Sequence, residues 1–355
     1  MQIHQMLPSL SYGDAIGNEV LELQRILRSW GYESDIYAAH IHAKLLGLAI
    51  DYKSYPKVSS SDNILIFHFA IGSDVSKFAE KLPDKKIIIY HNITPGHFFR
   101  GFSEDLFHLV STGREELARL SAEVELALGV SEFNRKELED LGFKNTGVLP
   151  ILIDFKKYGQ QPDENTMNKY YDEKYINLIF VGRISPNKKQ EDLIKIFYYF
   201  NKFVEPRSRL FLVGSYKGME KYHNYLNRLI AKLDLKNVYI TGHVNFNELM
   251  AYYRLASVFI SMSEHEGFCV PLVESMYFGI PIIAYNSTAV PDTLNGSGIL
   301  VNKKIYEEIS EMIGLLVNDE KFRDNIIKKQ KSQLPRFSNS IVEAMLREYL
   351  DKVIG

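Results

Sequence analysis

Short, nearly continuous apolar runs alternate with longer amphipathic stretches along this chain, and that alternation restricts its fold more than any other feature. NILIFHFA (residues 63–70), KKIIIYHNI (85–93) and VELALGVS (124–131) are bounded by polar turns, as strands covered on both faces are. Stretches with helical spacing, such as SDVSKFAEKL and NRKELEDLGF, lie between them. A second series follows, with YINLIFVGRIS, SRLFLVGS, NVYITGHV, SVFISMS and IPIIAYN as strands. Strands separated by helices predict βαβ units and parallel sheets. The segment 154–174, DFKKYGQQPDENTMNKYYDEK, is polar, carries a proline and has no apolar period, so it reads as a linker. The predicted organisation is an N-terminal α/β domain over residues 1–155, a linker over 156–174, a second α/β domain over 175–330 and a C-terminal helix over 331–355.

At 355 residues the chain is long enough for two cores. Lys plus Arg number 42 against 44 Asp plus Glu, so no bulk charge points to a nucleic-acid partner, and any bound anion must be held locally. A single cysteine, Cys269, excludes an internal disulfide and suits a reducing compartment. No leader-like N-terminus and no apolar run of bilayer-spanning length is present. The expectation is a cytoplasmic protein, with peripheral association at the inner face of the cell membrane left open. The aromatic stretch GHFFRGFSEDLFHLV (96–110) is one candidate for such a contact and equally a packing element.

Two stretches carry the chemistry. In LIFVGRISPNKKQEDLI a strand runs into Gly182, then Arg183, then Lys188 five positions later, then a helix. A glycine that lets the backbone turn, a planar guanidinium and a lysine near a helix N-terminus suit a diphosphate, although a solvated turn would look the same. In SEHEGFCVPLVES, Glu266 and Glu274 are eight positions apart across a turn that leads into a helix starting near Pro271. That turn falls at a strand's C-terminal end, where open α/β sheets bind ligands. Its backbone N–H groups from Gly267 to Val270 would face an anion, Glu274 would accept hydrogen bonds from a vicinal diol, and Glu266 would lie nearer the reacting end. His68 and His91 end predicted strands and would point the same way in the first domain. There is no D-x-D motif and no paired His/Cys spacing, so no metal site is expected.

These residues resemble the retaining, nucleotide-sugar-dependent glycosyltransferases of family 4. EHEGFCVPLVE is similar to that family's E-x7-E signature and VGRISPNKK to its phosphate motif; GVSEFNRKELEDLGF, VLPILID and GIPIIAYNSTAVPDTLNGSGILV also resemble its text. The resemblance implies a GT-B fold, two Rossmann-like parallel-sheet domains facing each other across a cleft, with the C-terminal helix over 331–355 crossing back to the N-terminal domain. It implies that Gly182, Arg183 and Lys188 hold the donor diphosphate, that Glu274 holds the ribose, and that Glu266 and His68 lie at the transferred sugar. Gly267, Phe268, Cys269 and Val270 would contact sugar and phosphate, and Gly242, His243 and Val244 would lie beside the base. Cys269 stands where the family usually has glycine. Gly13, Asp14 and Ala15, where the family's glycine pair is not intact, would form the acceptor-side loop with His91 and Asn92 nearby. The expected activity is metal-independent, retaining transfer of a hexose from GDP-mannose or a UDP-hexose to an acceptor hydroxyl of a glycan, a lipid-linked glycan or a small molecule, in polysaccharide or glycoconjugate synthesis. The alternatives are a catalytically silent nucleotide-sugar-binding subunit and a GT-B sugar phosphorylase.

Overall fold

The apolar runs pair as parallel strands in two sheets. They are described from a computed structural model that covers residues 1–355. The first sheet has seven strands: β1 (Ile3–Leu10), β2 (Ile36–Ile41), β3 (Ile50–Asp51), β4 (Ile64–Phe69), β5 (Lys85–Tyr90), β6 (Leu126–Gly129) and β7 (Thr146–Val148), in the order β3-β2-β1-β4-β5-β6-β7. The second has six: β8 (Ile176–Val181), β9 (Ser208–Val213), β10 (Val238–Gly242), β11 (Val258–Ser261), β12 (Ile282–Tyr285) and β13 (Ile299–Val301), in the order β10-β9-β8-β11-β12-β13. All residues of β4 are buried, as the unbroken apolar run requires of a strand covered on both faces. In each sheet the order reverses once, between β1 and β4 and between β8 and β11. Loops leaving the C-terminal ends of the two strands at such a point diverge to opposite faces and leave a crevice between them.

The chain forms two compact units. One comprises Met1–His97, Asp105–Ile153 and Arg336–Gly355; the other comprises Phe98–Glu104 and Asp154–Pro335. The terminal helix Asn339–Ile354 belongs to the first unit, where Val342, Leu346 and Leu350, spaced four apart, turn one buried stripe inward. It is fastened there by polar contacts. The Tyr349 hydroxyl accepts from the Val148 N–H at 3.1 Å and donates to the Val148 carbonyl at 3.2 Å, and the Lys85 ammonium donates to the Val353 carbonyl at 2.9 Å. A side chain at Gly147 would collide with this helix, because a Cβ there would sit 2.5 Å from the Tyr349 hydroxyl.

The segment 156–174 departs from the linker reading. It is folded into the second unit, with a short helical turn at Phe155–Gly159 and a helix at Glu164–Tyr170. Polar spacing hid its anchors: Tyr158 and Tyr170 are buried, Tyr170 against the rings of Phe211 and Tyr239. Two aromatics are enough to fix a stretch whose other side chains face water.

Candidate active site

The reversal between β8 and β11 explains why two motifs 78 residues apart meet. β8 ends in Gly182 and feeds the Arg183–Lys189 turn; β11, its neighbour, feeds the 262–269 loop. The close approach at this edge requires glycine, since a Cβ at Gly214 would lie 1.9 Å from the Gly182 carbonyl oxygen.

Lys188 and Glu266 form an ion pair at 2.5 Å, with side chains only 20% and 7% exposed. Around it the loop is tied at nearly every residue. Asn187 donates to the His265 carbonyl at 3.1 Å, the Glu264 N–H donates to the Asn187 carbonyl at 2.8 Å, and the Thr293 hydroxyl donates to the Phe268 carbonyl at 2.5 Å. The Glu266 N–H donates to the Thr288 hydroxyl at 2.8 Å. Thr288 has φ of 44°, a left-handed conformation that a β-branched residue adopts only under constraint from its surroundings. Cys269 is also left-handed, at φ 72°, immediately before the helix Val270–Phe278. This explains why glycine would be the easier residue at that position. The Cys269 thiol is buried, which pushes it well above the ordinary thiol range and leaves it a protonated packing group.

No side chain caps the helix that follows, and in its first turn the Leu272 N–H donates to the Cys269 carbonyl at 3.0 Å. Pro271 lies in its first turn, as expected of a residue without an N–H. One turn further on, Glu274 is buried and accepts from two phenols, Tyr158 at 2.8 Å and Tyr253 at 2.5 Å. Burial raises its carboxyl above the usual range, while both hydroxyls hold it down. A carboxylate offers about four lone-pair sites, so two phenols leave acceptor capacity for a ligand diol. Arg183 is exposed and donates to the Lys217 carbonyl at 3.1 Å. Gly242, left-handed at φ 73°, ends β10, and the His243 and Val244 that follow line a groove of about 460 Å³ together with Tyr239, Thr241 and Glu248.

In the first unit Asp14 caps the helix Ala15–Ser29, accepting from the Gly17 N–H at 2.6 Å, after a left-handed Gly13. Gly17 lies in the helix's first turn, where a Cβ would sit 2.3 Å from the Ser11 carbonyl oxygen. Ala15 is the helix's first residue.

His68 is not presented to a ligand as its place near a strand end suggested. It lies within β4, 1% exposed, in a buried polar chain. The chain fixes its own protons. The Gln5 amide nitrogen donates to the Val20 carbonyl at 3.0 Å, which turns the amide oxygen to His68 Nε2, also at 3.0 Å. His68 Nε2 therefore carries a proton and Nδ1 is bare, accepting at 3.0 Å from His91 Nε2. His91 Nδ1 is then bare too, 3.5 Å from Glu19 Oε2 and without a hydrogen bond. Burial pushes Glu19 up to about 8 and His91 down to about 3, and it lowers His68, so all three are neutral at pH 7. Glu19, His68 and His91 bring ligand-type atoms within 4.8 Å of one another, a metal-like grouping that sequence spacing did not reveal. Their nitrogens face each other as donor and acceptor, so a metal would have to break the His68–His91 bond. Asn92 follows, left-handed at φ 79°, its amide donating to Asn134 at 2.9 Å and Glu137 at 2.8 Å.

Tyr158, Tyr253, Thr288, Asn187, Glu19 and Gln5 were missed by sequence reasoning. Only Tyr158 left a trace, as an aromatic three residues after Phe155 in an otherwise polar stretch. In the aromatic stretch 96–110, Phe99 is 5% exposed and the Phe102 ring packs on Tyr222 at 5.3 Å, while Leu109 is exposed.

Comparison with known proteins bears on the fold and on the second unit. Residues 163–333 match the family model of glycosyl transferases group 1. The chain is 25% identical over 161 residues to the O-antigen chain mannosyltransferase B of Escherichia coli, covering 45% of this chain and 42% of that protein. It is 27% identical over 217 residues to the capsular polysaccharide biosynthesis glycosyltransferase CapM of Staphylococcus aureus, covering 57% of this chain and 54% of that protein. The matched region is thus about half the length of these curated relatives. Among solved structures, Anabaena HepE in complex with UDP and glucose superposes with a TM-score of 0.79 at 16% identity, covering 99% of this chain and 100% of that one. Sucrose-phosphate synthase from Thermosynechococcus elongatus superposes with a TM-score of 0.77 at 15% identity, covering 99% of each chain. The chain therefore has the GT-B fold, and its residues 163–333 are similar to the glycosyl transferases group 1 family.

Proposed function

We propose that the protein is a retaining, metal-independent glycosyltransferase that moves a hexose from a nucleotide diphosphate-sugar to a glycan hydroxyl in polysaccharide synthesis. The observation that carries this is the Lys188–Glu266 pair beside the uncapped N-terminus of the helix Val270–Phe278, with Glu274 held by two phenols one turn in. A cation beside a helix N-terminus meets a diphosphate there, while two acids at different depths meet hydroxyls. GDP-mannose and a UDP-hexose are the donors to try first. Mannosyltransferase relatives support the former, and a structural neighbour bound to UDP and glucose supports the latter.

In this reading the bond between the sugar's C1 and the diphosphate breaks, and its electron pair goes to the phosphate oxygen. Arg183, Lys188 and the helix N-terminus stabilise that charge, so the protein's own cations do the work a divalent ion does elsewhere. The acceptor oxygen bonds to C1 from the same face, and its proton passes to the departing phosphate. Glu266, released from Lys188 as the lysine turns to the phosphate, orients the sugar and stabilises the positive charge at C1. Gly13, Asp14, Ala15, His91 and Asn92 are assigned to the acceptor side, with His68 acting by positioning His91.

Thermal shift and calorimetry with GDP, UDP, ADP and their sugars, in the presence of chelator, test the donor site. Selective stabilisation by one nucleotide that Arg183→Ala and Glu274→Ala both weaken is the expected result. No binding by any of them would sink the assignment, and binding without turnover would point to a silent subunit.

A further inference from the structure

The β2–β3 connection of the first unit carries an exposed apolar cluster. Leu46 is 70% exposed, Leu48 49%, Ile50 42% and Tyr12 44%. This is not a loop that failed to pack. Leu45, immediately before Leu46, is 6% exposed inside a cluster with Leu7, Leu10 and Ala38, and Ala49, immediately after Leu48, packs against the same cluster. The segment is anchored at both ends of its tip, so Leu46 and Leu48 are held outward on either side of a left-handed Gly47. The charge carried by this stretch is net positive. Between residues 40 and 57 there are three lysines, Lys44, Lys53 and Lys57, and one acid, Asp51. The Asp51 carboxylate is engaged locally, accepting from the Lys53 N–H at 2.8 Å. Lys44 lies over the Tyr12 ring at 4.4 Å, and Tyr12 stacks on His42 at 5.8 Å, so an aromatic with a cation above it stands beside the leucines.

We infer that this tip is a docking surface for an anionic lipid bilayer. A protruding pair of leucines on a rigid base, an aromatic at the polar boundary and lysines without carboxylate partners are what an interfacial anchor needs. A second copy of the chain fits less well: a twofold contact would set Lys44 and Lys53 against their own images, and β3, at two residues, is too short an edge to pair. The surface lies at the C-terminal ends of β1 and β2, beside Gly13 and Asp14. One corollary rests on the transfer reading above: the acceptor is a lipid-linked glycan.

The full chain, without nucleotide, is sedimented with vesicles of phosphatidylcholine alone and of phosphatidylcholine with a quarter phosphatidylglycerol. Binding to the anionic vesicles only, weakened by high salt, is expected. Leu46→Asp with Leu48→Asp should abolish it, and Lys44→Glu with Lys53→Glu should weaken it by roughly thirtyfold or more. Binding to neither vesicle, binding that both double variants leave intact, or a concentration-dependent dimer that the leucine variant dissolves would each overturn the inference. Nucleotide-induced thermal shifts of the same variants report the donor site separately, so failure of docking and failure of the transfer reading are distinguishable.

Discussion

Buried acids in the two units are treated in opposite ways. In the second unit Glu266 faces the Lys188 ammonium and Glu274 accepts from two phenols. In the first, Glu19 is fully buried, and neither of its carboxylate oxygens makes a good hydrogen bond. Partners preserve a charge; their absence removes it. The second unit therefore presents carboxylates ready to meet a ligand's hydroxyls, whereas the first stores a neutral acid against a neutral imidazole.

That contrast can be broken most severely at Lys188. Lys188→Ala leaves Glu266 without its cation and a leaving diphosphate without its neutraliser, so sugar transfer should fall roughly a hundred- to a thousandfold, read as nucleotide release with the preferred donor. A variant with near-normal turnover would remove Lys188 from the site. Next, Tyr158→Phe combined with Tyr253→Phe removes both donors to a buried carboxylate. Stability should drop by about 1–3 kcal/mol per lost donor in denaturant titration, and donor KM should rise more than kcat falls.

A subtler test uses pH. Glu19 titrates near 8 in the folded protein against about 4.5 when unfolded, so its contribution is complete below the unfolded value and is lost as pH rises through 8. His91, lowered to about 3, acts in the opposite sense, favouring the folded state as pH rises from 3 to about 6.5. Between pH 6.5 and 8 the Glu19 trend stands unopposed within this pair. Tm should fall across that window in the parent, and Glu19→Gln should flatten the fall; identical slopes would mean Glu19 is ionised throughout. The smallest effect is expected at Cys269. Cys269→Gly relieves a left-handed non-glycine residue but loses a buried thiol, for a net gain of about 0.5–1 kcal/mol in urea unfolding.

The sheet strands were legible because β4, β5 and β8 are covered on both faces, and burial writes itself as an unbroken apolar run. The Arg183–Lys188 and Glu266–Glu274 motifs were legible because each is local. Their meeting was not: it depends on β8 and β11 being neighbours, which no spacing within either motif encodes. Tyr158 was lost for a related reason, since a single buried aromatic in a polar segment has no period. Glu19 was hidden by helical geometry, sitting on the buried stripe with Val20 and Leu23 where sequence gives no hint of an acid's solvation. His68 was placed correctly near the end of its strand, but a strand covered on both faces buries its penultimate residue as completely as its middle.

The return of Asn339–Ile354 to the first unit bears on how the molecule is made. Residues 1–153 leave the ribosome long before residues 336–355, so the nascent first unit must wait, one helix short, while the whole second unit is synthesised. Its exposed seat for Val342, Leu346 and Leu350 is then a site for holdase chaperones. Cutting the chain at residue 153 to obtain the first unit alone would preserve that vulnerable intermediate indefinitely.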